Sequence, residues 1–152
     1  MSVIVRTLAG WLKGFILLYG IYVVLYGHMT PGGGFAGGVV IACGMILLTL
    51  AGGERQGFSY FPRSAASVLS SAGVLMFLAL AWMGMWWGGG VFFRNFIETP
   101  ESAWFTLLSG GTVTLAEFGL GLMVASAIFL VFTVLAEFRL VSGPKRAEGD
   151  DA

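Results

Sequence analysis

Residues 14–53 decide the fold: GFILLYGIYVVLYGHMTPGGGFAGGVVIACGMILLTLAGG. These 40 residues contain no lysine, arginine, aspartate or glutamate, and their single histidine is His28. A helix of about 20 mostly apolar residues crosses the roughly 30 Å hydrocarbon core of a bilayer. The stretch is therefore long enough for two membrane-spanning helices and the turn between them, which Pro31 and three glycines mark.

Two further uncharged tracts predict two more spans. They cover residues 64–93 and 118–136. The whole chain is 57% hydrophobic and only 11% charged, whereas soluble domains contain about 25% charged residues. Helices satisfy their own backbone hydrogen bonds in lipid. We therefore predict an all-α integral membrane protein with four transmembrane helices, at about residues 7–27, 34–52, 65–87 and 112–138.

The basic residues predict the orientation of the spans. Arg94 alone falls on one side of the predicted bilayer, and the other seven basic residues fall on the opposite side. Lysine and arginine accumulate on the cytoplasmic side of membrane proteins. Both termini are therefore predicted to be cytoplasmic. The seven residues are Arg6, Lys13, Arg55, Arg63, Arg139, Lys145 and Arg146.

The segment between the third and fourth spans contains a predicted helix start. Thr99-Pro100-Glu101 provides a capping hydroxyl, a proline at the first helical position and an acid in the first turn. We predict a short interfacial helix over residues 100–108. The predicted organisation is then one four-helix transmembrane domain over residues 1–142, followed by a polar, disordered cytoplasmic tail over residues 143–152.

The glycine-rich turn admits several interpretations. Gly32-x-Gly34-x-x-Gly37 has the spacing of a dinucleotide-binding loop, but that reading needs a preceding strand and a surrounding βαβ unit. An uncharged membrane span follows the glycines instead. The net charge of zero gives no indication that the chain binds nucleic acid. Two roles remain open. Gly34 and Gly38 would let another helix approach span 2 closely, and the exposed N–H groups at its start would help to hold an ion or water.

A longer pattern around this turn carries a family resemblance. It reads Gly27-His28-x-x-Pro31-Gly32-Gly33-Gly34-Phe35-x-Gly37-Gly38. This pattern resembles the signature of the B subunit of multisubunit Na+/H+ antiporters, the Mrp or Mnh complexes, which has a homologue in membrane-bound hydrogenases. A second match is Glu117-Phe118-Gly119-Leu120. There the family often has an acidic or amide residue, an aliphatic residue, Gly, and Val or Ile, so Phe118 departs from the pattern.

Three ionisable residues are candidates for an ion pathway. Glu117 lies about 7–8 Å inside span 4, where a carboxylate costs about 2.5–3.5 kcal/mol. The simpler alternative is that the Glu117 carboxylate lies at a solvated helix start, where the helix dipole stabilises its negative charge. His28, at the same membrane level, suits either a proton relay or a hydrogen-bonding fixture of the turn. Lys13 lies about 9 Å inside span 1, and its alternative role is to extend its charge to the interface.

The remaining expectations concern chemistry and partners. One histidine and no clustered ligands predict no metal, haem or other cofactor, and no catalytic site. The resemblance implies a small, non-catalytic subunit of a cation/proton-translocating complex in the prokaryotic cell (inner) membrane. It further implies contact with other subunits of a Mrp-type or hydrogenase-type complex, with lipid, and with transported Na+ or H+. The alternative is a scaffold subunit, of a membrane-bound hydrogenase or related respiratory complex, with no residue in the ion path.

Overall fold

Four long helices form the described part of the protein, which confirms the predicted all-α membrane fold. The computed structural model describes residues 3–29, 31–52, 62–87, 89–97 and 109–142, and no strand occurs within these ranges. Each helix is long and apolar enough to cross a membrane. The helices are α1 (Val3–Leu25), α2 (Gly33–Gly52), α3 (Arg63–Trp87) and α4 (Thr112–Ser142).

Two helices extend beyond the spans predicted from the sequence. Helix α1 begins at Val3 rather than near residue 7, and α4 continues to Ser142 rather than ending near residue 138. The predicted limits followed the apolar tracts. A helix backbone needs no apolar side chain to continue into the polar interface, and lysine and arginine are good helix formers. The predicted interfacial helix at residues 100–108 and the tail at 143–152 lie outside the described residues.

The helices lie side by side in the order α1, α2, α4, α3. Helix α2 packs along both α1 and α4, whereas α1 meets α4 at few points and has no substantial interface with α3. The central pair is parallel, because Gly34 contacts Glu117 and Gly38, one turn later, contacts Gly121. The chain thus forms two antiparallel hairpins, α1–α2 and α3–α4, joined through α2 and α4.

Small residues form the contacts between helices. A Cβ atom added to Gly37 of α2 would lie 2.8 Å from the backbone nitrogen of Val24 on α1. One added to Gly73 of α3 would lie 2.7 Å from the carbonyl oxygen of Gly119 on α4. Helix backbones in membranes approach this closely where glycine replaces a larger side chain. The glycines therefore set the distances between neighbouring helices.

Large apolar side chains point outward, the reverse of a soluble protein. On α1, Trp11 is 75% exposed and Phe15 70%, while on α3 Trp86 is 78% exposed. Among the described residues, the interior contains mainly small side chains, and Phe129 is the largest one that is fully buried. An exterior this apolar fits a lipid environment, in agreement with a multi-pass membrane protein.

Three buried hydroxyl groups away from the helix starts hydrogen-bond to their own helix backbone. Thr49 donates to the carbonyl oxygen of Met45 at 3.0 Å, and Thr133 donates to that of Phe129 at 2.8 Å. Ser126 makes the same kind of bond, four residues back, at 2.6 Å. These bonds satisfy the hydroxyls without a partner helix, so they do not by themselves indicate a polar path through the core.

The two ends of the helix layer differ in their polar contacts. We call the end that carries residues 26–32 and 109–111 the turn end. At the opposite end, Arg63 of α3 donates to Glu137 of α4 at 2.5 Å, and both side chains are exposed. At the turn end, residues 89–97 return along α3, where a Cβ on Gly84 would lie 2.9 Å from the backbone nitrogen of Arg94.

Candidate functional site

Glu117 lies at the junction of the first turn and the two central helices. Helix α4 begins at Thr112, so Glu117 is about 7.5 Å along its axis from the turn end. Its carboxylate lies against Gly27 and Gly33, and its backbone lies against Gly34. The carboxyl group is thus enclosed by the glycine-rich turn rather than by neighbours on its own helix.

The three glycines leave space that no other residue would leave. A Cβ on Gly33 would lie 2.8 Å from Oε1 of Glu117, and a Cβ on Gly27 would collide with Oε2. A Cβ on Gly34 would overlap the carbonyl group of Glu117. Gly33 also has a φ of 53°, in the left-handed region that favours glycine. Glycine at these three positions therefore provides the space that Glu117 occupies.

One oxygen of this carboxyl group is isolated from water and from hydrogen-bond donors. Oε2 of Glu117 is buried and has no hydrogen-bond partner among the described residues. Buried polar atoms in proteins almost always have a partner. Oε2 is therefore available to accept a proton or a hydrogen bond from a group outside the described part of the chain.

His28 connects the first turn to the start of α4. Its Nε2 lies 2.8 Å from Oγ of Ser109, and its Nδ1 lies 3.4 Å from Oγ1 of Thr114. Thr114 precedes Glu117 by three residues and so lies on the same side of α4. His28 directly follows Gly27, which lies against the Glu117 carboxyl group. The structure thus brings together at the turn end the two candidates that the sequence put at one membrane level.

Asn95 supports this site and was missed in the sequence. Its Oδ1 accepts hydrogen bonds from the backbone nitrogen of Thr112 at 3.1 Å and from the Thr112 hydroxyl at 3.0 Å. It also accepts one from the backbone nitrogen of Ile97 at 3.2 Å. An acceptor at this position satisfies the free N–H groups that begin a helix. Asn95 lies 17 residues from α4, so no local capping pattern could have indicated it.

Residues 4–130 match a family described as a domain related to the MnhB subunit of Na+/H+ antiporter. The chain belongs to this family. The match confirms the resemblance read from the glycine-rich turn, and it covers α1, α2 and α3 together with most of α4.

Individual relatives of this MnhB-related chain include one archaeal and one bacterial protein. An uncharacterized protein of Methanocaldococcus jannaschii is 33% identical over 129 residues, which are 82% of this chain and 48% of that protein. The chain therefore spans about half the length of this relative. A Staphylococcus aureus protein, provisionally named antiporter subunit mnhB2, is 29% identical over 139 residues, which are 89% of this chain and 94% of that protein.

Lys13, the third ionisable candidate of this MnhB-related chain, lies away from the turn end. Lys13 is six residues, or about 9 Å along the helix axis, from Thr7, where the membrane-spanning part of α1 begins. Its side chain is half-buried. The structure therefore does not bring Lys13 together with Glu117 and His28.

The remaining motif residues of this MnhB-related chain divide between the turn and the helix interfaces. Pro31 and Gly32 form the turn, where Gly32 has a φ of 108° and accepts a hydrogen bond from Ala36. Phe35 is exposed. The other three are packed against neighbouring helices: Gly37 against α1, Gly38 against α4 and Gly119 against α3. Within the ranges that the structure describes, no group of three potential metal ligands occurs.

Proposed function

We propose that this chain is a membrane subunit of a Mrp-type multisubunit cation/proton antiporter, and that Glu117 and His28 line its ion pathway. Family membership supports the first part, as does the name of the Staphylococcus aureus relative, whose length is almost fully covered. The proposal includes cytoplasmic termini in a prokaryotic cell membrane and contact with other antiporter subunits. Glu117 and His28 would then lie on the outer side.

The observation that carries the pathway role is the isolated oxygen of Glu117. A charged side chain within a span costs about 2.5–3.5 kcal/mol, and such groups usually face a cavity or a partner. Packing alone would be better served at this position by an apolar side chain. Three glycines instead make room for a carboxyl group, which supports a role in chemistry that only this group provides.

The surroundings of Glu117 support a proton-exchanging role. A carboxyl group accepts and releases protons, and it also attracts cations. His28 is held by Ser109 and Thr114, and it directly follows a glycine that lies against the carboxyl group. Either imidazole nitrogen can donate or accept a hydrogen bond, depending on the tautomer. In our proposal, a proton moves between the outer surface, His28 and Glu117 while a cation crosses a cavity that this chain forms together with neighbouring subunits.

Substitution of Glu117 tests the pathway role directly. In membrane vesicles containing the whole complex, Glu117→Gln should leave subunit assembly unchanged but remove most of the cation-driven proton exchange. Glu137→Gln is the matched control, since it makes the same change on the same helix at an exposed position. Unchanged exchange in the Glu117→Gln complex would exclude Glu117 from the mechanism.

A scaffold role is the second candidate, and the close glycine contacts favour it. Gly34 and Gly38 lie against the backbone of α4, so packing explains these two positions without any ion. A pure scaffold predicts that Gly34→Leu and Gly38→Leu prevent assembly, whereas Glu117→Gln and His28→Asn leave transport intact. The host could then be a membrane-bound hydrogenase or a related respiratory complex. Hydrogenase subunits that co-purify with the tagged chain would identify that host.

A further inference from the structure

An open groove runs along α1 on the side that faces α4. Near the turn end it forms an apolar cleft of about 110 Å³. Ile21 and Leu25 line the cleft from α1, Phe118 and Leu122 line it from α4, and Ile41 of α2 lies between them. Since α1 has few contacts with α4, nothing in the described part of the chain closes the groove further along.

Two glycines continue this side of α1 toward the other end. Gly10, Gly14, Ile21 and Leu25 follow one another at spacings of four, seven and four residues, so they share one face of the helix. A Cβ on Gly10 or Gly14 would meet no atom within 4 Å. Every other helical glycine whose surroundings the structure describes would meet a neighbour. These two glycines thus lie beside open space.

A charged side chain precedes Gly14 on this helix. Lys13 is six residues from the start of the span Thr7–Leu25 and twelve from its end, so it lies within the span, nearer to the end opposite the turn. It has no ion-pair or hydrogen-bond partner among the described residues. Of the two acids in the described ranges, Glu137 pairs with Arg63, and Glu117 lies near the turn end. An ammonium group within a span is usually paired or faces water.

We propose that the groove between α1 and α4 receives a transmembrane helix of a neighbouring subunit, and that this helix carries an aspartate or glutamate level with Lys13. Charge complementarity identifies this occupant. A lipid tail could fill the apolar cleft, but the tail itself carries no negative charge to the level of Lys13. A second copy of this chain would bring another Lys13. The absence of side chains at Gly10 and Gly14 lets the backbone of the partner helix come close.

Assembly of the native complex provides the first test. We would tag the chain in its host membranes and measure the partner subunits that co-purify with it. Lys13→Glu should reduce this amount about tenfold or more, and Gly14→Leu should act similarly by filling the groove. Lys13→Arg keeps the charge and should assemble nearly as the unchanged chain does. The amount of tagged chain in the membrane shows whether each variant still inserts.

Photocrosslinking provides a second test that keeps Lys13. A photoreactive residue in place of the exposed Leu18, which lies on the same face of α1 as Gly14 and Leu25, should crosslink to a partner peptide that contains an acid within about two helical turns. The same residue at position 12, which faces away from the groove, should not give that product. Replacing the identified acid by lysine should restore assembly of the Lys13→Glu chain.

Two results would overturn the proposal. One is normal co-purification with both Lys13→Glu and Gly14→Leu, which would mean that the ammonium group extends to the interface. The other is crosslinking from position 18 to lipid alone, and this second result decides the matter even if the Lys13→Glu or Gly14→Leu chain fails to insert. The inference rests on the proposed membership of a hetero-complex but is independent of Glu117. A transport defect in Glu117→Gln with normal assembly would leave it unaffected.

Discussion

Replacing Gly38 by alanine tests whether glycine sets the distance between the two central helices. The added Cβ would lie 2.7 Å from the carbonyl oxygen of Gly121 and 3.0 Å from Cβ of Val124. Ordinary contact begins at 3.4 Å, so α2 and α4 would have to separate locally by about 0.7 Å. The atoms that obstruct the Cβ belong mainly to the backbone of α4, and a backbone cannot rotate away as a side chain can.

Gly44→Ala on the same helix is the matched control. There the nearest atoms are side-chain carbons of Ile16 and Leu17, at 3.1 Å or more, which can adjust by a few tenths of an ångström. Both substitutions gain about 1 kcal/mol of intrinsic helix propensity, so this gain cancels in the comparison. We expect the Gly38→Ala chain to be less stable than the Gly44→Ala chain by about 1–2 kcal/mol, which is about 5–30-fold in the unfolding equilibrium.

The measurement is an SDS titration of the purified chain in detergent micelles, followed by tryptophan fluorescence. The unfolding midpoint of Gly38→Ala should fall, while that of Gly44→Ala should stay near the midpoint of the unchanged chain. Equal midpoints for the two variants would refute the claim that a close approach of backbones at Gly38 fixes the α2–α4 interface.

Three further predictions use the same titration. His28→Ala loses its 2.8 Å bond to Ser109 and should be destabilised by about 0.5–1.5 kcal/mol; an unchanged midpoint would argue against a tethering role. Asn95→Ala removes the cap at the start of α4 and should lower stability by about 1 kcal/mol, whereas Asn95→Asp should preserve it. Glu137→Gln breaks an exposed ion pair and should change stability by less than about 1 kcal/mol; a larger loss would mean that this pair is shielded from water.

The sequence was sufficient to predict the helices because the bilayer imposes a simple rule on them. Long tracts without charge have few alternatives to spanning, and all four predicted spans correspond to observed helices. The spans Thr7–Leu25 and Thr112–Phe138 agree with the predicted limits, while α1 and α4 extend beyond them because a helix can continue where its apolar tract ends. Hydropathy reports which residues enter lipid, and it does not report where hydrogen bonding along the backbone stops.

The neighbours of each helix could not be predicted in the same way. Gly34 was expected to face some helix, but nothing in the sequence identified Glu117 of α4 as its contact. Tight packing depends on the combined shapes of two surfaces distant in the chain. Asn95 illustrates the same limitation, because it caps a helix that begins 17 residues later. Glu117 and His28 could be singled out because ionisable groups are rare in this composition.

The order of the helices divides the subunit into two hairpins of similar outline. A half-turn about an axis along the membrane normal, passing between the parallel helices α2 and α4, would exchange the two hairpins in outline. The hairpins differ most in their connections, which are residues 26–32 in the first and 88–111 in the second. Helix α4 is also longer than α2, with 31 residues against 20, so approximate twofold equivalence is lost at both ends of the layer. Glu117 is the sixth residue of α4, and the sixth residue of α2 is Gly38, so the half-turn would exchange a carboxyl group with a position that has no side chain.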